Sequence, residues 1–136
     1  MNNTDAMTVG IASLFRSELK HCADWPSDRL LRWVRWFVVK QRYLVSVRNG
    51  ELTGAALLRY VDNEADCRSD YRDTGGKICY IDATVAKEKG VLKELFTQMF
   101  SEVGKDCSLM AWVRPKHDNR IICVPMDKAR RRLIKE

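Results

Sequence analysis

The sequence holds two histidines, His21 and His117, and one acid, Asp82, set inside an otherwise apolar run, KICYIDATV at 77–85. A free imidazole titrates near pH 6.5, so a histidine and a carboxylate form the simplest pair able to take and return a proton at neutral pH. An ionised acid in a strand is costly unless paired, and the partners on offer are His21, an arginine such as Arg32 or Arg35, or the N–H groups of a helix. His21 has a second reading as the C-terminal cap of a preceding helix, where the helix dipole favours a cation. His117, in PKHDN, reads as a turn residue. Cys22 adjoins His21, but nothing in the sequence lowers its thiol pKa, and a nucleophile is not inferred there. The five cysteines, Cys22, Cys67, Cys79, Cys107 and Cys123, are odd in number and lack a CxxC pair. That usage fits reduced thiols better than a disulfide framework or a zinc site, so no metal is expected.

A second chemical feature lies just downstream, in VAKEKGVL at 85–92. A helix that follows a strand through a short turn offers unpaired N–H groups, and a glycine in the turn lets a phosphate approach the main chain. Lys87 and Lys89 add positive charge. Taken alone, a single glycine before a helix more often relieves a tight turn than binds an anion.

The elements that must position these residues follow from periodicity. Residues 5–20 space Val9, Ile11, Leu14, Phe15 and Leu19 as an amphipathic helix. Ser27-Asp28 reads as the N-cap of a second helix, whose Leu30, Leu31, Trp33, Val34, Phe37 and Val38 form one face. RYLVSVRNGELTGAALLRYV holds two apolar runs around Asn49-Gly50, a dipeptide that accepts the positive φ angles of a tight hairpin turn. DNEADCRSDYRDTGG reads as a polar loop. KICYIDATV is apolar on both faces and reads as a central strand, with Tyr80 and Asp82 on the same side by alternation. Leu92, Leu95, Phe96, Met99, Phe100 and Val103 then fall at helical spacing up to Gly104. CSLMAWVR and RIICVPM read as strands and DKARRRLIKE as a basic helix. The order is ααβββαββα. A strand–helix–strand crossover needs a parallel pair and the hairpin an antiparallel one, so the class is α+β with a mixed sheet.

This layout resembles the GNAT-type acyltransferases, in which the central strand and its successor splay around the pantetheine arm of acyl-CoA and the strand-to-helix turn holds the pyrophosphate. The family's turn is usually Arg/Gln-x-x-Gly-x-Gly/Ala; KEKGVL keeps Gly90 and has Val91 and Leu92 beyond it. A narrower resemblance is to the toxin-activating lysine acyltransferases, which modify RTX haemolysin-type protoxins from an acyl carrier protein. Its marks are His21 before Trp25-Pro26, then Tyr80-Ile81-Asp82, then Val113-Arg114-Pro115-Lys116, in the same order. The resemblance implies His21 as general base and Asp82 as the acid that orients or charges it. It implies a donor site at Thr84, Val85, Lys87, Lys89, Gly90 and Val91, and a substrate site at Tyr80, Trp112 and Arg114. The implied donor is an acyl-CoA or acyl-carrier-protein thioester, and the implied acceptor an amine or hydroxyl, with a protein lysine among the candidates.

Composition bounds the rest. A chain of 136 residues, 46% hydrophobic, suffices for one core, and a single domain spanning 1–136 is expected. No apolar run reaches membrane-spanning length, and MNNTDAMTVG lacks the layout of a secretory signal, so a cytoplasmic location is expected. The net charge of +6 gathers at 29–42 and in the tail from Asp127. An anionic partner is one reading of it and a solvated face the other. No stacking platform or helix-turn-helix accompanies the charge, so nucleic acid is not the expected partner. The competing function class is a GNAT-shaped scaffold that has lost its donor site and binds a protein or nucleic acid through its basic helices.

Overall fold

The computed structural model describes residues 2–103, 106–114 and 119–133. Gly104, Pro115, Lys116 and His117, singled out above, lie outside the described residues. The elements are α1 (Asn3–Glu18), α2 (Lys20–Ala23), α3 (Ser27–Val39), β1 (Tyr43–Arg48), β2 (Glu51–Val61), α4 (Glu64–Cys67), β3 (Ile78–Ala86), α5 (Val91–Val103), β4 (Leu109–Arg114), β5 (Arg120–Pro125) and α6 (Met126–Leu133). The strands form one mixed sheet in the order β1-β2-β3-β4-β5, so β3 is central as its two-sided apolar pattern requires. The single-turn helices α2 and α4 add to the expected order; both are too short to show a helical period in the sequence. No helix among the described residues is long and apolar enough to cross a membrane.

Packing divides the chain into two compact units, Met1–Leu57 with Thr84–Leu95, and Leu58–Ala83 with Phe96–Glu136. In the first, the Asn2 side chain caps α1 by accepting the Asp5 N–H at 2.8 Å. Ile11, Phe15, Leu30, Val34 and Phe37 are buried, and Trp33 packs edge-on against both Trp25 and Phe37. The expected cap of α3 differs: Pro26 takes the cap position and Ser27 is the first helical residue. Proline lacks an N–H and its ring fixes φ, which suits it to a helix start, and the Ser27 hydroxyl instead accepts from Arg16 at 3.5 Å. Leu31, expected on the inner face of this helix, is exposed.

At the β1–β2 turn Asn49 and Gly50 have φ of 55° and 78°, as a two-residue hairpin loop demands. A bulge between Ser46 and Val47 shifts the register, and the buried Thr53 hydroxyl donates to the Ser46 carbonyl there at 3.1 Å. Gly54 faces the first turn of α5, within the same unit: a Cβ at this position would lie 2.9 Å from the Val85 carbonyl oxygen and would meet the Val91 side chain.

The second unit packs Val61, Cys67, Ile78, Tyr80, Ala111 and Ile121 into one cluster. Here β4 pairs antiparallel with β5 along its whole length, from Leu109↔Pro125 to Arg114↔Arg120. On its other side β4 pairs parallel with β3.

Candidate active site

The second unit carries the acid in question. Asp82 shares a face of β3 with Tyr80, and the cation beside it is Arg59, from β2. Arg59 donates from Nε to one Asp82 oxygen at 2.8 Å and from its terminal nitrogen to the other at 3.0 Å, a bidentate fork. Its side chain is 2% exposed and that of Asp82 13%. The remaining guanidinium N–H groups donate to the carbonyls of Asp66, Cys67, Ser69 and Arg72 at 2.6 to 3.2 Å. The segment after β2 is folded to receive them. Asn63 caps α4 by accepting the Asp66 N–H, and the Asp66 carboxylate accepts from the Asp62 N–H and from Arg72 Nε. The bond from Arg72 holds the Asp66 carboxyl below its usual range.

Burial sets the proton affinities around Arg59. It raises the Asp82 carboxyl to about 6, against the hydrogen bonds and charge of Arg59 that pull it down. Tyr80 is pushed up to about 12, first by burial and then by Asp82, and its ring lies 5.1 Å beneath the Arg59 guanidinium. Tyr80 therefore stays a neutral O–H at physiological pH.

Asp82 also marks the place where two strands part. The β3–β4 ladder runs Ile78↔Leu109, Cys79↔Met110, Tyr80↔Ala111 and Ile81↔Trp112, and stops. Val113 and Arg114 still pair with β5, so β4 keeps one neighbour after its ladder with β3 has ended. Trp112, half-buried, stands on the last rung, and Arg114, exposed, lies beyond it opposite Arg120.

In the first unit, His21 sits on α2, exposed, with its ring edge-on to Trp25 at 6.0 Å. Arg16 of α1 ties this corner together by donating to the carbonyls of Ala23 and Trp25, and the Arg29 guanidinium covers the Trp25 ring at 4.0 Å. Cys22 is buried, and that burial pushes its thiol up, opposite to what a nucleophile needs.

The same unit holds the β3-to-α5 turn. Gly90 has φ of 88°, a value glycine adopts without strain. The Val91 N–H bonds to Glu88 O at 3.2 Å and the Glu94 N–H to Gly90 O at 3.1 Å as α5 begins. Val91 is buried, so this position serves the core rather than a close backbone approach. Arg48 reaches the turn from β1, donating to Glu88, Glu94 and the Lys89 carbonyl at 3.3 Å each. Arg48, Lys87, Lys89 and Lys93 outnumber Glu88 and Glu94, so the charge here fits an anion.

The fold thus joins Tyr80 to Asp82 through a residue the sequence reading did not name. Arg35, one arginine weighed for Asp82, pairs instead with Asp5. The available signal was Arg59 itself, a lone cation in ELTGAALLRYV, since a buried charge on one strand calls for its opposite on a neighbour.

A scan of protein-family models and a search of curated proteins found no match to the sequence. Solved structures do match. The loading GNATL domain of CurA from Lyngbya majuscula aligns with a TM-score of 0.63 at 12% identity over 83% of this chain and 64% of that one. The GphF GNAT-like decarboxylase in complex with isobutyryl-CoA aligns at 0.60 and 13%, over 80% of this chain and 62% of that one. The aminoglycoside N-acetyltransferase AAC(6')-Iy in complex with CoA aligns at 0.61 and 17%, over all of this chain and 84% of that one. This chain has a GNAT-type fold. It spans less than two thirds of the CurA and GphF chains, and at these identities the likeness is one of fold.

Proposed function

We propose that the protein transfers an acyl group from a thioester donor to an amine or hydroxyl. The observation that carries this reading is the end of the β3–β4 ladder at Ile81↔Trp112, with Asp82 as the next residue of β3. A gap between these strands is where the arm of a thioester donor enters a GNAT fold, and two structures of similar fold hold CoA or isobutyryl-CoA. A bound thioester supplies the acyl group; the chain's residues bind, orient and handle the proton. Lys87, Lys89 and Gly90 are assigned to the donor's phosphates, with Thr84, Val85 and Val91 shaping that turn. Trp112 and Tyr80 are assigned to the apolar part of the bound substrates and Arg114 to a polar end. His21 is assigned the proton, as base, and Asp82 the fixed negative charge that favours its departure from the acceptor. Catalysis then rests chiefly on orientation and preorganised charge.

The finer reading is a protein-lysine acceptor with an acyl-carrier-protein donor, in a cytoplasmic enzyme. It is supported by the succession His21, Trp25-Pro26, Tyr80-Ile81-Asp82 and Val113-Arg114.

The test is a thermal melt of the full chain with acetyl-CoA, a long-chain acyl-CoA and an acylated carrier protein, followed by turnover assays with any donor that stabilises. A ligand that binds only the folded state raises the Tm. Asp82→Asn and His21→Ala are each expected to lower kcat by about 10²-fold or more with the fold retained. No stabilisation by any of the three donors overturns the acyl-transfer reading, and full activity in either variant overturns that residue's role.

A further inference from the structure

We propose that Arg59 is a positioning residue for the reaction: it locks the plane of the Asp82 carboxylate and leaves one outward lone pair on each oxygen for an incoming N–H. The inference rests on the reading of Asp82 given above and deepens it. A carboxylate has about four acceptor positions, and the Arg59 fork occupies one on each oxygen. With both oxygens held, rotation of the carboxylate would break two charge-assisted bonds in a site shielded from water. Arg59 is itself immobilised by four backbone carbonyls from the 66–72 segment, so the carboxylate is fixed to a folded loop rather than to a free side chain. The Tyr80 ring beneath the guanidinium completes the support.

The chemistry that suits this arrangement is acceptance of hydrogen bonds from a cationic or developing cationic nitrogen. Each oxygen already accepts from arginine, and Asp82 acts here by charge and direction. The groups coupled to it by charge or contact are Arg59 from β2, Tyr80 from its own strand, and Cys67 and Asp70 from the segment between β2 and β3. Asp70 opposes ionisation of Asp82, and Arg59 favours it. A nitrogen donor approaching the outward lone pairs would add to the effect of Arg59.

Two variants separate positioning from bulk stability. Arg59→Lys keeps the charge but cannot make the fork, and Arg59→Gln keeps two donors but loses the charge. The first readout is the titration of the Asp82 carboxyl carbon by NMR, which needs no substrate. Its midpoint is expected to rise in both variants, further in Arg59→Gln. The second is kinetic: in Arg59→Lys, kcat is expected to fall by about 10²-fold at little change in KM, with the acid limb of the pH profile moving up alongside the carboxyl midpoint. A folded Arg59→Lys with an unmoved Asp82 midpoint and an unmoved pH profile overturns the proposal. If neither variant folds, the unaltered chain decides: the Arg59 Nε–H signal must move with the Asp82 titration, and its independence overturns the proposal equally. Absence of turnover with every donor would sink the acyl-transfer reading, while the carboxyl titration still judges the hold of Arg59 on Asp82.

Discussion

Arg48 and Arg59 stand on consecutive strands and both pair with acids, yet they do different things. Arg48 spreads its guanidinium over Glu88, Glu94 and the Lys89 carbonyl at 3.3 Å each, with 38% of its side chain exposed. Arg59 grips a single carboxylate through two short bonds and is 2% exposed. In the first case water competes for every group, salt screens the charges, and loss of the cation leaves the acids solvated. In the second, loss of the cation strands a buried acid and takes the donor from four loop carbonyls, those of Asp66 and Cys67 in buried bonds. Identical side-chain chemistry therefore gives an adaptable, cationic turn in one unit and a fixed piece of geometry in the other. The first suits a mobile anionic ligand; the second suits a group that must not move.

The largest expected effect lies at the buried pair. Arg59→Met should lower the free energy of unfolding by about 3–5 kcal/mol in urea titration, the usual consequence of removing one partner of a buried ion pair. Adding Asp82→Leu to it should recover part of that loss, since the stranded charge goes with it. A fall no greater than that of a surface substitution would erase the contrast between the two arginines.

The next effect is on pH dependence. Burial raises the Asp82 carboxyl to about 6 from an ordinary 3.8. The folded chain then binds more protons than the unfolded one between those values. The contribution to stability is thus fully present below about pH 4 and lost as pH rises through about 6. Its size is on the order of 1–3 kcal/mol. Comparing unfolding at pH 4 and pH 7 in the unaltered chain and in Asp82→Asn isolates it. A slope of opposite sign would mean that Arg59, not burial, governs the carboxyl.

The smallest effect is expected at the exposed turn. Arg48→Ala should cost less than about 1 kcal/mol, and less still in 1 M salt. A cost matching that of Arg59→Met would show that the turn is a structural clamp rather than the ligand site proposed for it.

Much of the fold is legible in the residue order because its causes are local. Asn49-Gly50 accepts the positive φ angles of the turn, the apolar stripe of α5 repeats every three or four residues, and Gly90 stands where φ is 88°. Such signals depend on near neighbours, and the hairpin, the α5 helix and the central position of β3 follow from them. The candidate site is less legible. The residues Tyr80, Asp82 and Trp112 could be singled out, but Asp82 had several conceivable cations and the sequence offers no means of ranking them. Arg59 is chosen 23 residues away in sequence because β2 runs beside β3 and because the 66–72 segment folds its carbonyls around the guanidinium.

What residue order alone determined is the set of longer elements, their sequence, and the presence of an acid where an apolar strand cannot leave it unpaired. Tertiary structure decided which cation answers that acid, how deeply the pair is withdrawn from water, and where the β3–β4 ladder ends. The reason is that turns and helical stripes are set by steric and periodic rules a few residues long. The energy of a charge pair depends on burial and on partners brought together only when the chain has folded.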